Sequence, residues 1–227
     1  MFIIIIIILI IIVIYIKHNI TSESFITENT YDVRINMFKT TISIMNKYNI
    51  KYWADFGTLL GLIREGTLIR HDDDSDICIF NDEKDKINDV ILQEFIKHNM
   101  IIVRSINSAY KVYMLNDYIN QTKNKDVKHI PNFYCDECPH VDIFVYQKTD
   151  RCAKRECTLG WNTSCDDIIK RDNIDISLLQ QFEYRYFEKL DLNVRIPHND
   201  IDILLFRYGK NWKVPIKNDK GVFKGCE

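Results

Sequence analysis

Glycine is scarce in this chain, at 7 of 227 residues. A sequence this poor in glycine places one where the backbone must turn sharply or come close to a ligand. Strong net charge is missing too: the formal balance is −2, with 46% hydrophobic residues. That argues against a nucleic-acid binder working through a basic surface, and against a disordered charged chain. No internal repeat is visible. The length suits one domain with a small appendage and is enough to bury a substantial core.

Long apolar runs are absent except at the start, where Phe2 to Ile16 is unbroken and is followed by Lys17 and His18. As a helix this run rises about 22 Å, against a hydrocarbon core of about 30 Å; flanking polar residues bring it close to a thin membrane. No basic segment precedes it and no small-residue cleavage site follows, which argues against a cleaved signal peptide. The expectation is a single-pass membrane anchor over residues 1–18, a polar linker over 19–29 and a folded domain over 30–227. The membrane face is left open.

Within that domain, Val33, Met37, Ile42, Ile44 and Met45 set out a helix ending near Tyr48 and Asn49. Ile50 to Asp55 reads as a strand, Gly57 to Arg64 as a turn into a helix, and Asp76 to Phe80 as a second strand. Asn81 reads as the cap of a helix carrying the stripe Ile87, Val90, Ile91, Phe95. Met100 to Val103 and Tyr110 to Leu115 read as strands, residues 116–138 as a loop, and Val141 to Tyr146 as a strand. Phe182 to Phe187 and Leu192 to Ile196 form a hairpin turning at Lys189 to Asp191. Asp200 to Tyr208 is a short helix stopped by Gly209. Strands and helices alternate with hairpins mixed in. The pattern predicts an α/β fold of the mixed kind, a central mixed sheet flanked by helices.

The chemistry concentrates between Tyr52 and Phe80. Three of the seven glycines, Gly57, Gly61 and Gly66, fall there, and Asp72, Asp73, Asp74 and Asp76 put four carboxylates into five positions. Adjacent carboxylates repel unless something cationic sits among them. Asp74 and Asp76, two apart at a strand entrance, point to one face. Asp142 stands in a second strand; if the strands are neighbours, three carboxylates meet and suit one or two divalent cations. Gly57 and Thr58, at a strand-to-helix turn, offer N–H groups and a hydroxyl to phosphates. Arg64 offers a guanidinium to phosphate oxygens. A calcium loop starting at Asp72 fits poorly, because its sixth position needs glycine and here is Ile77.

The run Phe56-Gly-Thr-Leu-Leu-Gly-Leu-Ile-Arg64, followed by His71-Asp-Asp-Asp-Ser-Asp-Ile77, resembles the signature of the LicD family, which includes fukutin and the fukutin-related protein. Val141-Asp-Ile-Phe144 resembles its next block, and Pro197 with Tyr208-Gly209, Trp212 and Pro215 its C-terminal one. Two departures stand out: His71 where an aromatic is usual, and Ser75 where an apolar residue is usual. Neither removes a carboxylate. The resemblance implies a nucleotidyltransferase-like fold and transfer of a phospho-alcohol, of the phosphocholine or ribitol 5-phosphate type, from a CDP-linked donor to a glycan hydroxyl, releasing CMP. It also implies Mg²⁺ or Mn²⁺ on Asp74, Asp76 and Asp142, and donor binding by Gly57 and Thr58, to which we add Gly61 and Arg64. Asp72 or Asp73 assists deprotonation of the acceptor. Two rivals stay open: a nucleotidyltransferase using a nucleoside triphosphate, and an inactive relative that binds glycan or a membrane partner.

Cys135, Cys138, Cys152 and Cys157 have spacing that suits a four-thiolate Zn²⁺ site, with His140 as an alternative ligand. Disulfides and free thiols are equal readings.

Overall fold

The computed structural model describes residues 30–104, 109–122, 138–156 and 172–215. The apolar run and linker at 1–29 lie outside them. Among the described residues no helix is long and apolar enough to cross a membrane.

Residues 30–47 form helix α1, whose Met37, Phe38, Ile42 and Met45 are buried. Strand β1 (Tyr52–Ala54) leads into α2 (Phe56–Glu65), which Gly66 stops in a left-handed conformation with φ 71°. Strand β2 (Asp74–Phe80) begins with the acidic run. A 3-10 turn (Asn81–Lys86) and α3 (Asp89–Lys97) follow, then the antiparallel pair β3 (Met100–Arg104) and β4 (Ala109–Met114). Next come α4 (Leu115–Thr122), β5 (His140–Lys148), β6 (Cys152–Arg155) and β7 (Ile174–Asp175). The described chain closes with the hairpin β8 (Phe182–Phe187) and β9 (Leu192–Pro197), and α5 (Asp200–Tyr208).

The main sheet has seven strands in the order β1-β2-β5-β4-β3, with β6 and β7 continuing from β5. It is mixed, as the alternation predicted: β2 and β5 run parallel, and the other described pairs antiparallel. The hairpin forms a second sheet, tied to the first where the Arg195 guanidinium donates to the Tyr52 carbonyl. Trp53 lies at the centre of the core, its ring 4.7 Å from Phe80, 5.6 Å from Tyr146 and 5.7 Å from Phe182.

Two local expectations need correcting. Asn81 does not cap the helix that follows; Asn88 does, accepting from the Val90 N–H at 3.0 Å. The 3-10 turn intervenes because Glu83 points inward, taking the Lys51 N–H at 2.8 Å and the Lys86 ammonium at 2.7 Å. Val90 is consequently exposed, while Ile91 and Phe95 are buried. Residues 116–138 are not all loop, because α4 occupies the first of them. Tyr118, buried against Ile101, Val103 and Tyr113, supplies the packing that a polar sequence concealed.

Asp55 and Arg207 link the two ends of the domain. Both side chains are fully buried; the guanidinium donates to both carboxylate oxygens, Nε to Oδ1 at 2.9 Å and a terminal nitrogen to Oδ2 at 2.7 Å. Asp55 also takes the Phe56 N–H at 2.8 Å and so caps α2. Removing one partner leaves a buried charge unpaired. We expect Arg207→Met to lower unfolding free energy by about 3–5 kcal/mol in chemical denaturation. A change within about 0.5 kcal/mol would assign the pair no structural weight.

Candidate metal and phosphate site

The parallel pairing of β2 with β5 builds the site. Its register sets Asp76 beside Asp142 and Asp74 beside His140. The antiparallel register of β4 then places Lys111 beside Asp142 and Tyr113 beside His140. Because alternate residues on a strand share a face, these six side chains form two short rows across three strands. One carboxylate oxygen each from Asp74 and Asp142 and one nitrogen of His140 lie within 4.8 Å of one another; so do carboxylate oxygens of Asp72, Asp73 and Asp74. Asp74 belongs to both groups. The Asp76 carboxylate is outside them, buried behind Asp74 and facing Gly57.

Burial and mutual repulsion make Asp72, Asp74 and Asp76 hard to ionise. Burial, then the charges of Asp142 and Asp72, pushes the Asp74 pKa up to about 7. Burial followed by Asp74 and Asp142 holds Asp76 well above the usual carboxylate range. Burial also raises Asp72, against the pull of Arg34. Local cations offset part of this charge. The Lys111 ammonium lies 2.9 Å from Asp142 Oδ1 and donates to Oδ2 at 3.1 Å. Arg34, buried on α1, donates to the carbonyls of Asp74, at 3.3 Å, and Ile69, clamping the backbone that carries the acids.

The donor set fits a divalent cation. It combines one carboxylate oxygen each from Asp74 and Asp142 with an imidazole nitrogen of His140.

The Phe56-Gly57-Thr58 corner faces the acids. Phe56 adopts a left-handed conformation, φ 49°, rare for a bulky residue. Its ring is gripped between the Arg207 guanidinium, 4.1 Å from its centroid, and Phe144, at 5.4 Å. This turn brings Gly57 so close to Asp72 that a Cβ there would lie 2.6 Å from Oδ2. The Thr58 hydroxyl is committed to the protein, accepting the Asp76 N–H at 2.6 Å and tying α2 to β2.

The other two proposed donor-binding residues are placed differently. Gly61 serves packing, since a Cβ there would meet the Thr67 carbonyl at 2.7 Å and the Ile69 nitrogen at 2.9 Å. Arg64, in the last turn of α2, pairs with Glu65 at 2.6 Å. Cys138 and Cys152 are disulfide-bonded, which removes both from a four-thiolate zinc set; Cys135 and Cys157 lie outside the described residues. Sequence reasoning missed Lys111 and Arg34. Alternation along β4 puts Lys111 on one face with Tyr113, and Arg34 precedes Met37 and Phe38 by helical spacing. Those patterns mark a face without naming the neighbour.

Two outcomes follow from this geometry. Gly57→Ala pushes the flexible Asp72 side chain, whereas Gly61→Ala collides with backbone. We expect Gly57→Ala to weaken divalent-metal binding with under about 1 kcal/mol lost in stability, and Gly61→Ala to lose about 1–3 kcal/mol. Equal stability losses in denaturant titrations would contradict that division. The carboxyl pKa values are higher in the folded than in the unfolded chain, so the folded state holds more protons between about pH 4 and 7. Their contribution is therefore full below the unfolded value and is lost as pH rises through the folded one. In EDTA, the thermal midpoint should be lowered at pH 7.5 relative to pH 5.5 by these groups, and Mn²⁺ should raise it more at pH 7.5. An equal Mn²⁺ effect at both would contradict the cluster's charge state.

Comparison with known proteins agrees with the geometry. Residues 49–199 match the family described as LicD/FKTN/FKRP, nucleotidyltransferase domain. An uncharacterised protein of Rickettsia prowazekii (strain Madrid E) is 32% identical over 90 residues, 39% of this chain and 34% of its own length. The lipopolysaccharide cholinephosphotransferase LicD of Haemophilus influenzae is 32% identical over 117 residues, covering 50% and 42%. Human ribitol-5-phosphate transferase FKTN is 24% identical over 174 residues, covering 76% and 32%. The chain thus spans less than half the length of each of these relatives. The family match takes in all nine strands among the described residues and every clustered acidic residue, and the chain belongs to the LicD family.

Proposed function

We propose that this chain is a metal-dependent phosphotransferase. It moves a phospho-alcohol, of the phosphocholine or ribitol 5-phosphate type, from a CDP-linked donor to a glycan hydroxyl and releases CMP. The observation that carries this reading is the meeting of Asp74, His140 and Asp142 on the β2–β5 pair, opposite the Gly57 corner. The names of two relatives, a cholinephosphotransferase and a ribitol-5-phosphate transferase, support the cargo class.

Asp74 and Asp142 would hold Mg²⁺ or Mn²⁺, with the buried Asp76 beside Asp142 on the same pair of strands. When bound, the cation neutralises phosphate oxygens and stabilises the departing CMP. The acceptor hydroxyl forms the new bond to the β-phosphorus as the bond to the CMP oxygen breaks. Its proton passes to a carboxylate. Asp72 suits this role, because burial raises its pKa and so its basicity. Gly57 leaves the approach to Asp72 open, and Phe56 and Thr58 hold that corner in place. We also assign residues 1–18 to a membrane, which would keep the site near a membrane-borne acceptor.

The test is CMP release by the full chain in detergent, with Mg²⁺ or Mn²⁺ and a panel of CDP-alcohols. We expect slow release with at least one donor, falling on the order of 100-fold or more in Asp74→Asn and Asp142→Asn. Release of pyrophosphate from a nucleoside triphosphate, with no CMP from any CDP donor, would replace this reading with nucleotidyl transfer.

A further inference from the structure

His140 is held in a way the carboxylate chemistry does not require. Its side chain is buried on β5, its ring 5.4 Å from that of Tyr113. Nδ1 lies 2.9 Å from the Cys138 carbonyl. A carbonyl only accepts, so Nδ1 carries the proton and Nε2 presents a single lone pair. Nε2 faces the acids, 4.0 Å from Asp74 Oδ2 and 3.9 Å from Asp142 Oδ2. A histidine that ligates a metal usually donates its other ring N–H to a carboxylate, a backbone carbonyl or water, which fixes the tautomer as here.

The Lys111 ammonium lies 2.9 Å from Nε2 and 2.9 Å from Asp142 Oδ1. It is a cation seated against two of the three donors of the cluster. One lone pair cannot serve an ammonium and a metal ion together. We propose that His140 Nε2 is the nitrogen ligand of the divalent cation held by Asp74 and Asp142, that Lys111 is the cation it displaces, and that the mixed donor set prefers Mn²⁺ to Mg²⁺. The inference rests on the metal-site reading above and adds the ligand that sets selectivity. Imidazole favours the transition ion, whereas carboxylates alone accept either. Asp142, a residue only 6% exposed, has the Lys111 ammonium 2.9 Å from Oδ1, so these donors already accommodate a positive charge at that position. Lys111, once displaced, keeps its charge beside Asp142, where donor phosphate oxygens would arrive.

The experiment is pulsed EPR on the full chain loaded with Mn²⁺, which reads nitrogen coupling from a directly bound imidazole, alongside Mn²⁺ and Mg²⁺ titrations. The expected result is coupling in wild type and in His71→Asn, a control for the histidine next to Asp72. In His140→Asn the coupling is lost and Mn²⁺ affinity falls roughly 10–100-fold, with a smaller change for Mg²⁺. Lys111→Met keeps the coupling and binds Mn²⁺ more tightly than wild type. If His140→Asn does not fold, wild type, His71→Asn and Lys111→Met still decide the matter. Mn²⁺ bound by wild type without nitrogen coupling, or coupling that vanishes in His71→Asn, overturns the nitrogen ligand and leaves the carboxylate site standing. Failure of wild type to bind either ion overturns both.

Discussion

The parallel pairing of β2 with β5 is the constraint from which the site follows. A parallel pair needs a long crossover, and here that crossover carries α3, β3, β4 and α4. Its register leaves no freedom in what faces what: Asp76 meets Asp142, and Asp74 meets His140. A slip of one residue would turn the acids away and put Ser75 and Ile77 in their place. The apolar remainder of both strands, buried from Ile77 to Phe80 and from Ile143 to Tyr146, holds that register. Core packing thus forces together carboxylates that repel each other.

The surrounding chain offsets this repulsion in separate ways. Arg34 braces the backbone of the acidic run, and Lys111 neutralises Asp142 from the neighbouring strand. Asp55 is kept apart from the cluster's demands by its own buried partner, Arg207. That pair also fixes Phe56 in its unusual conformation and so aims Gly57 at Asp72. The glycine-rich signature therefore divides into one residue for approach, one for attachment and one for packing: Gly57, Thr58 and Gly61.

Much of this was legible in the sequence because the signals are local. The strands read as starting at Asp76 and Val141, which the structure begins at Asp74 and His140, the β8–β9 hairpin and the Gly209 stop each follow from residue type and spacing. The approach of Asp142 to Asp74 and Asp76 followed once the two strands were taken as neighbours. What stayed hidden depends on tertiary contact. Lys111 reads as an ordinary strand lysine until β4 is known to border β5. His140 reads as a partner of nearby cysteines until its ring is seen facing the acids. Arg64 reads as a phosphate ligand because a guanidinium suits phosphate oxygens, yet the structure pairs it with Glu65. Tyr118 shows the same lesson in the core, where one buried ring outweighs a polar helix.

Anomalous diffraction from crystals of the full chain grown with Mn²⁺ and CDP tests the central claim most directly. The account predicts a manganese peak bonded to Asp74 and Asp142, with the CDP phosphates against it and the Gly57 corner alongside. No peak at that position, or phosphates bound at Arg64 with the acids left to themselves, would contradict it.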